Sequence, residues 1–258
     1  MPVADTRLAP IIEDLARRLT ASGPPPRGLP YLGLDFASGT GTHLLDALGA
    51  HGILRKYELV LDVGGGLGAT GRWLAGRLGC TAVVTASDEA EAAAGRALTR
   101  RTRQRSQVEH VPADPRVLPF RDARFTHAWL LATLSCVRDP DAVLADVFRV
   151  IRPGGHVAIQ DLARTDAAPP PVSGWRFATA DVRGESLRAA GFADVVTHVV
   201  DDVSERSASV SAARLQLQHQ LAASGEPGLV AVAAERAVLD AGVADGSLRV
   251  VQLFARRP

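Results

Sequence analysis

Seven consecutive residues, Asp62-Val63-Gly64-Gly65-Gly66-Leu67-Gly68, have the types and spacing to hold a ligand against the main chain. They follow an apolar stretch at 58–60 and precede a segment of helical periodicity over 69–78, so they read as a buried strand turning through glycines into a helix. Glycine has no Cβ, and a bound molecule can therefore approach its backbone closely. The first N–H groups of the following helix point at whatever fills the turn. The chemistry implied is recognition of a nucleotide-type molecule. A tight strand-to-helix turn with no ligand has the same pattern, so this turn alone leaves both readings open.

Other polar residues fall where such a ligand would be met. Asp161, with Gln160 beside it, ends a strand pattern at 156–161 and is a substrate-facing candidate, because open α/β sheets bind ligands at the carboxyl ends of their strands. A second glycine-rich segment, Asp35-Phe36-Ala37-Ser38-Gly39-Thr40-Gly41-Thr42-His43, is expected to form a loop in which Ser38 or Thr40 caps a helix beginning at His43. Tyr31, Asp35 and His43 are then candidates for substrate contact. His43 is also the candidate general base, since imidazole titrates near neutral pH. A polar loop with a capping hydroxyl is the simpler account of any one of them. His127, inside a strand pattern, reads as a core histidine, and Cys136 as a neutral wall residue rather than a nucleophile.

These residues need a scaffold, and the pattern supplies one. Strand-like segments at 58–63, 81–86, 108–111, 126–131, 156–161, 193–200 and 248–255 alternate with helical segments at 69–78, 89–102, 141–150 and 182–190. The turn Arg152-Pro153-Gly154-Gly155 precedes the fifth strand, and Gly191 stands where a helix C-cap belongs. Such alternation predicts an α/β protein with a mostly parallel sheet. Two segments stand outside it: residues 1–57, with helices near 11–20 and 43–49, and residues 204–244, with helices near 212–223 and 229–239. The reading is one structural domain, with 1–57 as an N-terminal lid segment, 58–258 as the main domain and 204–244 as a helical insert. Ala168-Pro169-Pro170-Pro171 is expected to be a stiff extended connector.

Composition narrows the function. The chain has 258 residues, 47% of them hydrophobic, enough for one sizeable core. Its 29 basic and 28 acidic residues nearly balance, which gives no overall footprint for nucleic acid. Arginines at 96, 100, 101, 103 and 105 read as a solvated helix end. Lys56 is the sole lysine and sits in a polar cluster, which argues against Schiff-base chemistry. Cys80 and Cys136 are too few for a disulfide framework, and no Cys/His cluster has metal-ligand spacing, so no metal is expected. A reducing cytoplasm fits best. The N-terminus lacks a signal peptide's apolar core, and no run approaches the ~20 apolar residues that span a bilayer.

Three motifs together resemble the class I S-adenosylmethionine-dependent methyltransferases, in particular the small-molecule branch that includes quinone-biosynthesis and glycine/sarcosine N-methyltransferases. Asp62 to Gly68 resembles that family's first motif, Asp114-Pro115-Arg116-Val117-Leu118-Pro119-Phe120 its Asp-Ala-x-x-Leu-Pro-Phe segment, and Arg149-Val150-Ile151-Arg152-Pro153-Gly154-Gly155 its Arg-Val-Leu-Arg-Pro-Gly-Gly turn. The resemblance covers roughly residues 58–165. It implies a Rossmann-like, mostly parallel seven-stranded sheet with helices on both faces and helical lid segments at both ends. It further implies S-adenosylmethionine as cofactor, S-adenosylhomocysteine as product, and cofactor contacts from Asp62, Gly64, Gly65, Gly66, Asp88, Asp114 and Leu131. The reaction implied is methyl transfer to an N, O, C or S atom of a small metabolite by in-line displacement. No nucleic-acid or membrane partner is expected, and a homodimer is compatible with this reading. The second strand departs from the family: where an Asp or Glu usually binds the ribose hydroxyls the chain has Ala86, with Asp88 two residues on, either a displaced ribose anchor or a helix N-cap. The alternative reading is a methyltransferase-like protein that binds the cofactor without methylating. An NAD-dependent dehydrogenase ranks last, because it leaves Asp114 and Pro153 unexplained.

Overall fold

In the computed structural model, residues 6–21, 23–36, 41–51 and 54–258 are described. The strands are β1 (Leu59–Asp62), β2 (Thr81–Ala86), β3 (Val108–Pro112), β4 (Phe125–Leu131), β5 (Ile151–Arg164), β6 (Ala193–Val200) and β7 (Leu248–Arg256). They form one sheet in the order β3-β2-β1-β4-β5-β7-β6. β3, β2, β1, β4 and β5 run parallel, while β7 is antiparallel to both its neighbours. After β3 the chain crosses to the other side of β1, so β1 and β4 flank the point where the strand order reverses. Their carboxyl ends, Asp62 and Leu131, mark the crevice where sheets of this kind bind ligands.

The helices are α1 (Leu8–Leu19), α2 (His43–His51), α3 (Ala69–Trp73), α4 (Glu89–Arg100), α5 (Pro140–Val150), α6 (Ala180–Ala189), α7 (Ala208–Ala222) and α8 (Pro227–Ala244). Because both sheet faces are covered, the central strands are apolar at successive positions rather than alternately. Leu61, Ala128 and Leu130 face a cluster that includes Val143, Leu144 and Val147 of α5 and Leu187 of α6. Val60, Val84 and Trp129 face the opposite way, against Trp73 of α3 and Leu45 and Leu48 of α2. The rings of Trp73 and Trp129 lie 5.9 Å apart, both fully out of solvent.

The segments outside the alternation meet each other. Leu8, Ile12 and Leu15 of α1 pack with Leu217 and Leu221 of α7 and with Leu229 and Ala233 of α8. Segments that are remote in sequence thus form one apolar layer.

Some boundaries differ from expectation for local reasons. The segment 69–78 is α-helical only to Trp73 and finishes in one wider π turn, Leu74–Leu78. Arg152-Pro153-Gly154-Gly155 is not a turn ahead of β5 but a bulge inside it: pairing with β4 jumps from Phe125↔Ile151 to His127↔His156, and Gly154 takes φ +75°. Helix α8 runs beyond the expected residue 239 to Ala244, with Pro227 in its first turn, where a missing N–H costs nothing. Ser38 and Thr40, expected to cap α2, lie outside the described residues.

Candidate functional site

A cavity of about 1060 Å³, counting its open mouth, lies at the carboxyl ends of β1 and β4. Gly64, Gly65, Gly66 and Thr70 form one side, and Leu131, Ala132, Thr133 and Cys136 a second. Leu8 and Ile12 of α1, Phe36, and Val232 of α8 close it from above, with Trp175 at the side. Asp35, Glu91, Glu235 and Arg236 are its charged lining residues.

The glycine turn is held open by bonds to β2. Gly64 N donates to Thr85 Oγ1 at 2.8 Å and Gly66 N to Thr85 O at 3.2 Å. Gly64 and Gly66 take φ +70° and +56°, backbone conformations that a side chain strains. A Cβ at Gly65 would strike the Asp62 carboxylate, and one at Gly68 the His110 ring. Across the crevice Thr133 Oγ1 donates to Val63 O at 2.7 Å, tying the end of β4 to the start of the turn.

Asp62 lies under this turn, and neither of its buried carboxylate oxygens has a hydrogen-bond partner among the described residues. Burial pushes its pKa up to about 7, against a smaller opposing pull from the Gly71 backbone and the Arg72 charge. A cationic or N–H donor on a ligand would relieve that burial. Glu91 is also buried; its Oε2 accepts from Ser87 N and Ser87 Oγ, both at 2.7 Å, and its Oε1 would lie 2.9 Å from a Cβ on Gly66. It brings a carboxylate to the edge of the glycine turn.

The structure brings Gly64, Gly65, Gly66, Leu131 and Asp35 together around the cavity, with Asp62 beneath. Five other residues singled out from the sequence do not line it. Asp88 is exposed and accepts from Glu91 N at 2.8 Å, the geometry of an N-cap. Asp114 is exposed and its carboxylate is taken by Arg116, whose Nη2 approaches to 2.7 Å and holds the acid below its usual pKa. Asp161 is buried beside Arg183, at 3.5 Å, and accepts from Leu162 N at 2.9 Å; burial raises its pKa. Tyr31 is a packing residue whose hydroxyl donates to Leu98 O at 2.6 Å. His43 opens α2 with neither ring nitrogen partnered among the described residues, packed against Gly41 rather than into the cavity. In each case the side chain is turned aside by a nearer partner or by the packing around it.

Sequence reasoning missed Glu91, Trp175, Glu235 and Arg236. For Glu91 a signal existed: Asp88-x-x-Glu91 is a capping-box spacing, which turns the Glu at the third helical position back toward the helix start. For the others there was none, because their place depends on how α8 and the 172–177 segment pack over the sheet.

The strand order, with a cavity at the reversal point, is that of the class I S-adenosylmethionine-dependent methyltransferase fold. Residues 61–159 match the methyltransferase domain family model. Over 103 residues it is 33% identical to the methyltransferase GfsG of Streptomyces halstedii, an alignment covering 40% of this chain and 37% of that protein. The chain therefore matches well under half the length of that relative. Among solved structures it superposes on the [4+2]-cyclase SpnF with a TM-score of 0.72 at 23% identity, covering 100% of this chain and 98% of that one. The S-adenosylmethionine complex of phosphoethanolamine N-methyltransferase 2 of Haemonchus contortus gives 0.70 at 16% identity, covering 100% of this chain and 61% of that one.

The donor set fits the cofactor of that family on the glycine side. The unpartnered Asp62 carboxylate suits an ammonium, the bare Gly64–Gly66 surface a close-lying chain, and the Glu91 carboxylate a hydroxyl group.

Proposed function

We propose that this protein transfers the methyl group of S-adenosylmethionine to an atom of a small metabolite with a largely apolar body. The observation that carries this reading is that the glycine turn and the apolar layer of α1 and α8 face each other across a single cavity. Cofactor and acceptor would be enclosed together there.

When bound, S-adenosylmethionine supplies a methyl group already attached to a good leaving group, a sulfonium. The chain's own task is then to align the acceptor atom and to exclude water. Gly64 to Gly66 would let the cofactor approach the main chain closely, Asp62 and Glu91 would take its polar groups, and Leu131 would hold it by apolar contact. Leu8, Ile12, Phe36 and Val232 keep water from the acceptor. Asp35 lines the cavity while paired with Arg72, so it shapes the wall rather than accepting a proton. Cys136 serves as a neutral wall, since burial pushes its thiol pKa above the ordinary range. The free, buried Cys80 and Cys136 support a reducing cytoplasm as the place of action.

The test has two stages. S-adenosylhomocysteine should raise Tm and bind in a calorimeter, whereas NAD should do neither. Incubation of the protein and S-adenosylmethionine with cell extract should then yield a metabolite gaining one methyl group. Tight cofactor binding with no transfer to amine, hydroxyl, thiol or carbon acceptors would instead establish a non-methylating relative.

A further inference from the structure

One turn of α8 faces the cavity through Val232, Glu235 and Arg236, positions three and four apart and hence on one side of the helix. Arg236 stands out among them. Its Nη2 donates to Phe36 O at 3.3 Å, and no other hydrogen bond or ion pair engages its guanidinium among the described residues. An arginine carries five N–H donors, so most of this fork remains for a ligand.

The acids that might neutralise it are engaged elsewhere or lie at longer range. Asp35 is held by Arg72 at 2.7 Å. Glu205 accepts from Thr42 N at 2.8 Å and faces Arg214 at 3.5 Å. Glu235 and Asp240 on its own helix act on it without forming an ion pair, and Glu235 also acts on the Cys136 thiol. Burial first, and then the neighbouring Arg214, lower the Arg236 pKa. The cavity it lines has a largely apolar wall in Leu8, Ile12, Phe36, Trp175 and Val232, and also carries the carboxylates of Asp35, Glu91 and Glu235. A buried guanidinium with no carboxylate at ion-pair distance among the described residues is an unfavourable arrangement that a ligand oxyanion would relieve.

We propose that Arg236 is the anchor for an anionic group, a carboxylate or a phosphate, on an otherwise apolar acceptor molecule. The apolar body lies along Leu8, Ile12, Trp175 and Val232, and the fork of Arg236 fixes one end, so the acceptor enters in one orientation. This rests on the methyl-transfer reading for what the bound molecule is, but not for whether the anion binds.

Three probes of equal chain length separate the possibilities in calorimetry with the full chain: decanoate, decyl phosphate and decanol. Each is titrated with and without S-adenosylhomocysteine. Both anions should bind at least roughly thirty-fold more tightly than decanol, the scale on which loss of one member of a buried charged pair is felt. A preference for one anion over the other identifies the headgroup. In Arg236→Gln the anions should fall to the level of decanol while S-adenosylhomocysteine affinity holds. Equal binding of anions and decanol by the native protein overturns the proposal, whether or not the variant folds, and so does an anion preference that survives in a folded Arg236→Gln. Failure of S-adenosylhomocysteine to bind counts against the methyl-transfer reading alone, because the comparison of anions with decanol is also made without it.

Discussion

Asp35 Oδ2 accepts two hydrogen bonds from Arg72, from Nη2 at 2.7 Å and from Nε at 3.3 Å, and both side chains are out of solvent. The pair joins the N-terminal segment to the helix that follows the glycine turn. Arg72 Nη1 also donates to Thr99 Oγ1 at 2.8 Å, and that hydroxyl bonds His110 Nε2 at 2.9 Å. One buried network therefore spans the cavity wall, α3, α4 and β3. Removing one partner of a buried ion pair strands the other charge, at a cost of ~3–5 kcal/mol. Asp35→Asn should lose about 3 kcal/mol of stability in urea unfolding, and Asp35→Asn with Arg72→Met clearly less than the two single losses added. Strict additivity would show that the two residues do not act as a pair.

Gly65 tests the glycine turn directly. A methyl group there would collide with the Asp62 carboxylate, so Gly65→Ala has to push that acid toward the cavity or distort the turn. S-adenosylhomocysteine affinity should fall by about ten-fold or more, equal to ~1.4 kcal/mol. Unchanged affinity in calorimetry would place the cofactor away from this turn.

Asp88 and Glu91 should separate stability from binding. Asp88 caps α4, so Asp88→Ala should cost ~1 kcal/mol of stability and leave S-adenosylhomocysteine affinity intact. Glu91→Gln should weaken that affinity by about ten-fold, because an amide is a poorer acceptor for a hydroxyl than a carboxylate. A ligand lacking both ribose hydroxyls should bind the native protein and Glu91→Gln alike. Reversed effects would return the ribose contact to Asp88.

Two buried groups titrate with opposite sign. The folded pKa of Asp62, about 7, is above its unfolded value of 3.8, so the native state binds the extra proton and stability falls as pH rises between them. Burial lowers the His110 pKa from 6.5 to about 3; there the unfolded state binds the extra proton, and stability rises with pH over that window. The two slopes oppose each other from about pH 4 to about pH 6.5, each limited to ~1.4 kcal/mol per pH unit. Relative to the native protein, Asp62→Asn should gain stability as pH rises through this range, and His110→Asn should lose it. Urea midpoints measured across the window check both signs, and variants that simply parallel the native curve would refute them.

The sequence by itself determined the scaffold. The strand at 81–86 occurs at the expected residues, because an apolar run bounded by turn residues is a local signal that a doubly covered sheet writes into its own chain. The glycine turn was legible for the same reason: positive φ and close approach restrict the residue type at the position itself. Only the tertiary structure decided which side chains meet in the cavity. Asp88 and Asp114 stood where carboxylates serve such a ligand, yet one is spent on a helix cap and the other on Arg116 two residues away. Arg236 carried no mark in the sequence, since its partner is the carbonyl of Phe36, 200 positions earlier in the chain. Local backbone preference fixes elements; the charge left uncompensated inside a cavity depends on segments that come together only when those elements pack.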